Sequence, residues 1–326
     1  MTTRQSPIYL SNLIWFSLTL VILFFSTFLV IYVIKRMWRK KQHKLVWTPI
    51  SSVERRSNLS HDQFVREYAS IGKPVIITDA MKDWTASTKW NMNFFKSECG
   101  SLNIKVREDG DHSRTLQMTV ADYIDYITAS DRKKILYLFD FHPYLHPKLY
   151  EDYKVPVYFH NLFDRLPKNF QEKYDYPLDY LLIGPKDSYI SLHIDGEYAY
   201  AWLALISGRK KCVLFTPDQT DLLYNGEVNV FNPDLEKFPL YTNAKSVEII
   251  LEAGEIIYFP PRWWHQVKNL EDSIAVSHNS INEFNSELCF QDIYERNPIK
   301  GFILPLALEF PLVFRSLFAI KLLLNK

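Results

Sequence analysis

With 326 residues and 47% hydrophobic content, the chain is long and apolar enough to bury a full core. Its formal net charge of +1 excludes a general nucleic-acid footprint. The three cysteines, Cys99, Cys212 and Cys289, are odd in number and far apart, which excludes a disulfide framework or a zinc spacing and fits a reducing compartment.

Residues 7–34 carry no charge, and the run is almost wholly Leu, Ile, Val, Phe, Trp, Ser and Thr from Leu13 onward. A bilayer span takes roughly 20 apolar residues, so 12–34 are expected to form a transmembrane helix behind a short tail, 1–11. The run is too long for a cleaved signal peptide, and no small-x-small cleavage site follows it. One basic residue, Arg4, precedes it; Lys35, Arg36, Arg39, Lys40, Lys41 and Lys44 follow. Positive charge stays on the cytoplasmic side. The expectation is a single-pass membrane protein whose large C-terminal part faces the cytosol. Residues 35–50 then serve as a basic linker and anionic-lipid anchor.

The soluble domain is expected over 51–285. Ser60-His61-Asp62-Gln63 has the form of a capping box and predicts a helix to about Ser70. A strand is predicted over 75–78 and a helix over 90–99, stopped by Gly100. A strand over 102–107, a helix capped by Thr119 and a strand over 135–139 follow. Residues 140–176 are irregular. Their histidines, His142, His146 and His160, are taken as loop residues, because Pro143 and Pro147 break any helical face that would gather them. Eight strands are then predicted over 181–184, 188–195, 200–206, 211–215, 247–251, 255–259, 266–270 and 274–279. Eight strands suit a double-stranded jelly roll, so the fold class is mainly β with flanking helices. Residues 217–244 form a long insertion, expected at the barrel mouth where such loops bind substrate. The tail, 286–326, is apolar and helical in spacing. Its stripe of Phe314, Leu317, Phe318, Leu322 and Leu323 can lie on the membrane, on a second copy in a homodimer, or on the protein's own core.

Two fragments carry chemistry. One ends in His193-Ile194-Asp195; the other is Phe259-Pro260-Pro261-Arg262-Trp263-Trp264-His265. Residues i and i+2 of a strand share a face, so His193 and Asp195 can reach one point. With a distant His265 they make two imidazoles and one carboxylate. That set occupies one face of an octahedral metal and leaves the other open, as in non-haem Fe(II) oxygenases. Either fragment alone is weak, since His-x-Asp recurs by chance and a His beside two Trp is often a packed strand residue. Lys210 and Lys211 follow the Gly208-Arg209 turn between the fragments, and the residues alone do not choose between them.

The chain resembles the JmjC-type, cupin-fold 2-oxoglutarate oxygenases, nearest the branch that contains a lysyl hydroxylase and proposed arginine demethylase. The resemblance rests on Leu136-Tyr137-Leu138-Phe139-Asp140, Glu151-Asp152-Tyr153-Lys154-Val155-Pro156, His193-Ile194-Asp195, Trp263-Trp264-His265 and Ile274-Ala275-Val276 running on to Asn279. It covers roughly residues 72–285. It implies Fe(II) on His193, Asp195 and His265, with 2-oxoglutarate and O2 as cosubstrates. It also implies that Lys210, 17 residues after His193, binds the far carboxylate of 2-oxoglutarate, that Tyr137 donates to it, and that Asn279 lies near both iron and cosubstrate. Strand alternation, which aims Lys210 inward and Lys211 outward, agrees. Two positions depart from the pattern: Ile190 stands where the relative has a Thr, and Leu203 where it has an Asn. Each loss is expected to weaken cosubstrate binding by roughly 1 kcal/mol. The implied function is hydroxylation, or demethylation through hydroxylation, of a side chain, by analogy Lys or Arg of a protein. The alternatives are an inactive membrane-anchored binding module, suggested by Ile190 and Leu203, and an RNA- or tRNA-modifying hydroxylase, disfavoured because no basic stripe exists outside residues 35–44.

Overall fold

The computed structural model describes residues 46–108, 111–129, 132–166 and 179–311, together with Phe16, Thr19, Leu23, Ser26, Thr27 and Val30. These six residues are helical, and the Ser26 and Thr27 hydroxyls donate to the Leu23 carbonyl at 3.0 and 2.8 Å. Among the described residues no helix is long and apolar enough to cross a membrane. The span expected over 12–34 lies, apart from those six, outside the described residues, as does the stripe from Phe314 to Leu323. Residues 1–44 and 45–326 are separate compact units, and the second carries the β-structure.

All eight expected jelly-roll strands form. They are β6 (Asp179–Gly184), β7 (Tyr189–His193), β8 (Tyr200–Ser207), β9 (Arg209–Phe215), β10 (Val247–Glu252), β11 (Ile256–Phe259), β12 (Trp264–Asn269) and β13 (Ser273–Ser280). Five more precede them: β1 (Glu54–Arg56), β2 (Val75–Ile77), β3 (Asn103–Glu108), β4 (Asp111–Thr119) and β5 (Leu136–Phe141). Among the described residues the larger sheet runs β1-β2-β11-β8-β13-β6-β5-β3-β4, and the smaller runs β10-β9-β12-β7. Each sheet thus holds four of the eight jelly-roll strands.

Alternation sorts the central strands of the larger sheet, β6, β8, β11 and β13, between two apolar environments. Leu182, Leu203 and Ile257 face the barrel interior, where they meet Leu214, Ile249 and Phe259. Their neighbours Ile183, Trp202 and Tyr258 face the other way. There they pack under the helical layer: α1 (His61–Phe64), which continues as a π-helix over Val65–Ala69, α2 (Ala86–Lys89), α3 (Met92–Cys99) and α4 (Val120–Thr128). Burial on both faces explains why these strands read as continuous hydrophobic runs. The capping box is present: Gln63 N donates to Ser60 Oγ at 3.2 Å, and Ser60 N to Gln63 Oε1 at 2.9 Å. Thr119 caps α4 by accepting from Asp122 N.

Sequence reasoning missed β4. Its residues Asp111-His-Ser-Arg-Thr-Leu-Gln-Met-Thr lack apolar alternation because β4 is the edge of the larger sheet, with Arg114 to Leu116 exposed. The 217–244 insertion departs from its expected place. It covers the outer face of the smaller sheet, where Leu192, Val213, Phe215 and Trp264 pack on Leu223, Val230 and Tyr241. None of its residues lines the cavity described below. An outward apolar face would otherwise lie in water, at a cost of about 1.5–3 kcal/mol per large side chain. At the C-terminus, α5 (Ser286–Arg296) and α6 (Pro298–Glu309) dock on the chain's own core: Phe290, Ile293, Leu304 and Ala307 pack with Phe163 and Ile281.

Candidate metal centre

β7 and β12 are antiparallel neighbours, and their register puts His265 directly opposite His193. Their ring centroids lie 4.3 Å apart. A register shift just after His265 marks a bulge, a device that re-aims side chains beside functional sites. β7 ends at His193, but the backbone stays extended at Asp195 (φ −61°, ψ 141°), so the carboxylate keeps to the imidazole's side. One nitrogen or oxygen from each of His193, Asp195 and His265 falls within 4.8 Å of the others. The His265 Nε2 to Asp195 Oδ2 distance is 3.8 Å, outside hydrogen-bond range.

The donor set fits a divalent metal. His193 Nδ1 lies 2.7 Å from the Ser191 carbonyl, and His265 Nδ1 lies 3.1 Å from the Trp263 carbonyl. A carbonyl only accepts, so both Nδ1 atoms carry the proton and both Nε2 atoms keep a lone pair for the centre. Burial, and then the neighbouring His265, push His193 below the usual imidazole range, which favours the neutral ring that a metal ligand needs. Asn279 Nδ2 donates to Asp195 Oδ1 at 3.0 Å and sets the carboxylate's orientation. Phe259 stacks on His265 with ring centroids 4.4 Å apart. Trp263 Nε1 donates to the Gly72 carbonyl at 3.0 Å, tying the His265 turn to the N-terminal layer. Gly72 has φ +60°, and a Cβ there would sit 2.1 Å from the Val46 carbonyl oxygen, so that tie requires glycine.

A cavity of about 330 Å³ opens beside the triad, with His193 and Asp195 in its wall. Phe139, Tyr180 and Ile190 form its apolar wall, and Arg107, Ser277 and Asn279 its polar one. Sequence reasoning named neither Arg107 nor Ser277. Ser277 was legible, since it lies two residues before Asn279 and shares its face. Arg107 was not, because only the pairing of β3 with β5, Arg107 opposite Tyr137, brings it there.

Lys210 and Tyr137 form a second cluster that does not line this cavity. Lys210 is fully buried, with no carboxylate among its hydrogen-bond partners in the described residues. Its ammonium donates to Tyr137 Oη at 3.0 Å and to Asn269 Oδ1. Asn269 in turn donates to Ser188 Oγ at 2.7 Å. Burial pushes Lys210 down to about 7. Lys211 faces outward and pairs with Glu248 at 2.7 Å. Gly184 makes room for the cluster: a Cβ there would meet the Tyr137 ring at 2.4 Å and Asn269 Nδ2 at 2.6 Å. The two clusters share a wall. β9 and β12 pair Leu214 with His265 and Lys210 with Asn269, so the lysine rung lies four residues along the strands from the histidine rung. That is about 13 Å of strand. Asn269 was legible at i+4 from His265, though it was not singled out.

The sequence profile of the cupin-like domain family matches residues 61–285. The chain belongs to the cupin-like domain family. Among curated relatives, it is 32% identical over 260 residues to an Arabidopsis thaliana protein named arginine-specific demethylase JMJ20, covering 70% of this chain and 56% of that one. It is 31% identical over 271 residues to the 2-oxoglutarate and iron-dependent oxygenase JMJD4 of Danio rerio, with 74% and 63% covered. It is 28% identical over 263 residues to the bifunctional arginine demethylase and lysyl-hydroxylase psr-1 of Caenorhabditis elegans, with 74% and 64% covered. The chain thus spans between about half and two thirds of the length of these relatives.

One further feature brackets the triad. Tyr198, three residues after Asp195, has φ 51°, and Arg262, three before His265, has φ 67°. Such left-handed conformations cost a non-glycine residue about 1–3 kcal/mol each. The Arg262 guanidinium stands 5.2 Å from the centre of the Tyr198 ring. A contact of that kind returns about 0.5–2 kcal/mol, less than the two strained residues cost together.

Proposed function

We propose that the protein is an Fe(II)- and 2-oxoglutarate-dependent dioxygenase that hydroxylates a side chain, or demethylates it through hydroxylation, on a protein substrate. The observation that carries this reading is the convergence of His193, Asp195 and His265 with both Nδ1 protons committed to carbonyls. The relatives named as iron oxygenase, demethylase and lysyl-hydroxylase support it.

In this reading the two imidazoles and Asp195 hold Fe(II), which with 2-oxoglutarate and O2 supplies the oxidation of an unactivated C–H bond and yields succinate and CO2. Asn279 holds the Asp195 carboxylate in place. Lys210 meets the far carboxylate of 2-oxoglutarate, and Tyr137 stands beside that ammonium as a hydroxyl partner. A buried lysine without an anion is an expensive arrangement, and a bound dicarboxylate relieves it. Phe139, Tyr180 and Ile190 keep water from the apolar side of the cavity, and Ser277 offers a hydroxyl on the other.

Ile190 and Leu203 favour a second reading, a metal-binding module with weak or no turnover. Ile190 lines the cavity, and Leu203 is buried in the barrel opposite Ser277. Proteomic comparison of cells carrying wild type or His193→Ala separates the two. The oxygenase reading expects +16 Da sites, or loss of methyl groups, that depend on His193; identical modification profiles would leave the module.

We also propose that 12–34 anchor the protein in a membrane with the catalytic unit on the cytosolic side. The uncharged run and the Lys/Arg excess after it support this. Glycosylation of an acceptor engineered near residue 220 would contradict the orientation.

A further inference from the structure

Tyr198 and Arg262 sit outside the cavity, yet each lies on the loop that presents a ligand of the triad. Gly196–Tyr198 form a single turn that starts directly from Asp195, and Ala199 N closes it by donating to the Gly196 carbonyl at 3.0 Å. Pro260-Pro261-Arg262-Trp263 forms the turn that delivers His265, closed by Trp263 N on the Pro260 carbonyl at 3.3 Å. Between these two turns the Arg262 guanidinium stands over the Tyr198 ring, beside the triad's own approach of His265 to Asp195. The strained backbone on each side is held from behind. Asn285, fully buried, donates its side-chain amide to the Tyr198 carbonyl at 3.1 Å and to the Ser280 carbonyl at 3.3 Å. Asn282 N donates to Asn285 Oδ1 at 2.7 Å. On the other side, Trp263 is buried, with its indole nitrogen on Gly72. Backbone strain that its own contact does not repay, in a surrounding that over-determines it, marks a place where geometry rather than stability is being held.

We propose that Tyr198 and Arg262 are positioning residues: a bracket across the two ligand-bearing turns that fixes the separation of Asp195 from His265 and so sets the affinity and geometry of the metal site. The chemistry is specific. The bracket needs an aromatic face at 198 and a cation at 262, because the attraction runs from the guanidinium to the ring quadrupole. The tyrosine hydroxyl is not part of it. The inference rests on the metal reading of the triad.

The test uses Co(II) as the probe on the full chain, read by titration and by the d–d absorption of the bound ion. Arg262→Ala and Tyr198→Leu are each expected to weaken Co(II) binding about five- to tenfold and to alter the d–d band. The double variant should lose little more than either single one, because both remove the same contact. Tyr198→Phe should bind as wild type, and Arg262→Lys should recover most of the affinity. Folding is checked by thermal unfolding, and Tyr198→Phe and Arg262→Lys keep the test decisive should the truncations fold poorly. Wild-type affinity and spectrum in Arg262→Ala and Tyr198→Leu, alongside a His193→Ala control that no longer binds, would overturn the bracket and leave the metal reading standing. Failure of wild type itself to bind Co(II) would overturn the metal reading, and the bracket with it.

Discussion

The barrel interior has two polar ends, and they are built on opposite plans. At the mouth, His193, Asp195 and His265 bring ligand-type atoms within 4.8 Å of one another beside an open cavity. Four residues further along the same strands, Lys210 is sealed among neutral partners, Tyr137 and Asn269. One end gathers electron pairs at a point; the other buries an ammonium whose hydrogen-bond partners among the described residues are neutral. Neither arrangement is comfortable alone, since buried polar groups need partners of matching charge. Together they suit an ion at one end and a dianion reaching toward the other. The comparison teaches that one pair of strands, β9 and β12, carries two polar rungs of opposite character.

The sharpest way to break the comparison is to remove the mouth's carboxylate. Asp195→Ala should lower metal affinity by about 100-fold or more, and Asn279→Ala, which only frees that carboxylate to turn, by about tenfold. Metal titration with Mn(II) or Co(II) checks both, and an Asp195→Ala protein that binds stoichiometrically at wild-type affinity would sink the ligand assignment. At the other end, Lys210→Ala should raise the 2-oxoglutarate requirement at least tenfold, a loss of about 1.4 kcal/mol or more. Metal binding should survive that change. Lys211→Ala should change little, because its partner is Glu248 on the outward face. Equal small effects of the two lysines would remove the cosubstrate assignment. Gly184→Ala is a gentler probe. Its Cβ pushes on Tyr137 and Asn269 and should raise the 2-oxoglutarate requirement about fivefold while leaving metal affinity unchanged. A loss of metal binding in that variant would mean that the two ends are not separable.

The last probe is a pH slope. Lys210 titrates near 7 in the folded protein against 10.5 ordinarily. Between those values the unfolded chain holds a proton that the folded one does not, so stability should rise with pH across that window. One proton contributes at most about 1.4 kcal/mol per pH unit. Below about pH 7 this group adds no slope. Urea unfolding of wild type and Lys210→Met at pH 7.5 and 9.5 measures the difference; Lys210→Met should show the flatter dependence.

The two ends were not equally legible in the sequence. All eight barrel strands were, because those of the larger sheet are buried on both faces and read as apolar runs between turn residues, while in the smaller sheet β10 alternates. The triad was legible from His193-Ile194-Asp195 and the Trp263-Trp264-His265 turn, since strand alternation decides which side chains converge. The lysine end was harder. The sequence shows Lys210 and Lys211 side by side; the resemblance and alternation separate them, but the closure of Lys210 on Asn269 and Tyr137 depends on pairing between distant strands. The insertion over 217–244 was expected at the mouth and instead backs the smaller sheet. Its length was visible, but the apolar face it covers belongs to strands elsewhere in the chain. Arg107 and the Tyr198–Arg262 contact were invisible for the same reason.

The central claim is that the mouth and the lysine end act together on one cosubstrate. The most direct measurement is succinate released from 2-oxoglutarate by the purified full-length protein, with Fe(II) added or chelated, for wild type, His193→Ala and Lys210→Ala. The account expects release that requires Fe(II), is abolished by His193→Ala, and is restored in Lys210→Ala only at 2-oxoglutarate concentrations at least about tenfold higher. Release that is the same in wild type and His193→Ala, or no release from wild type at any 2-oxoglutarate concentration, would contradict it.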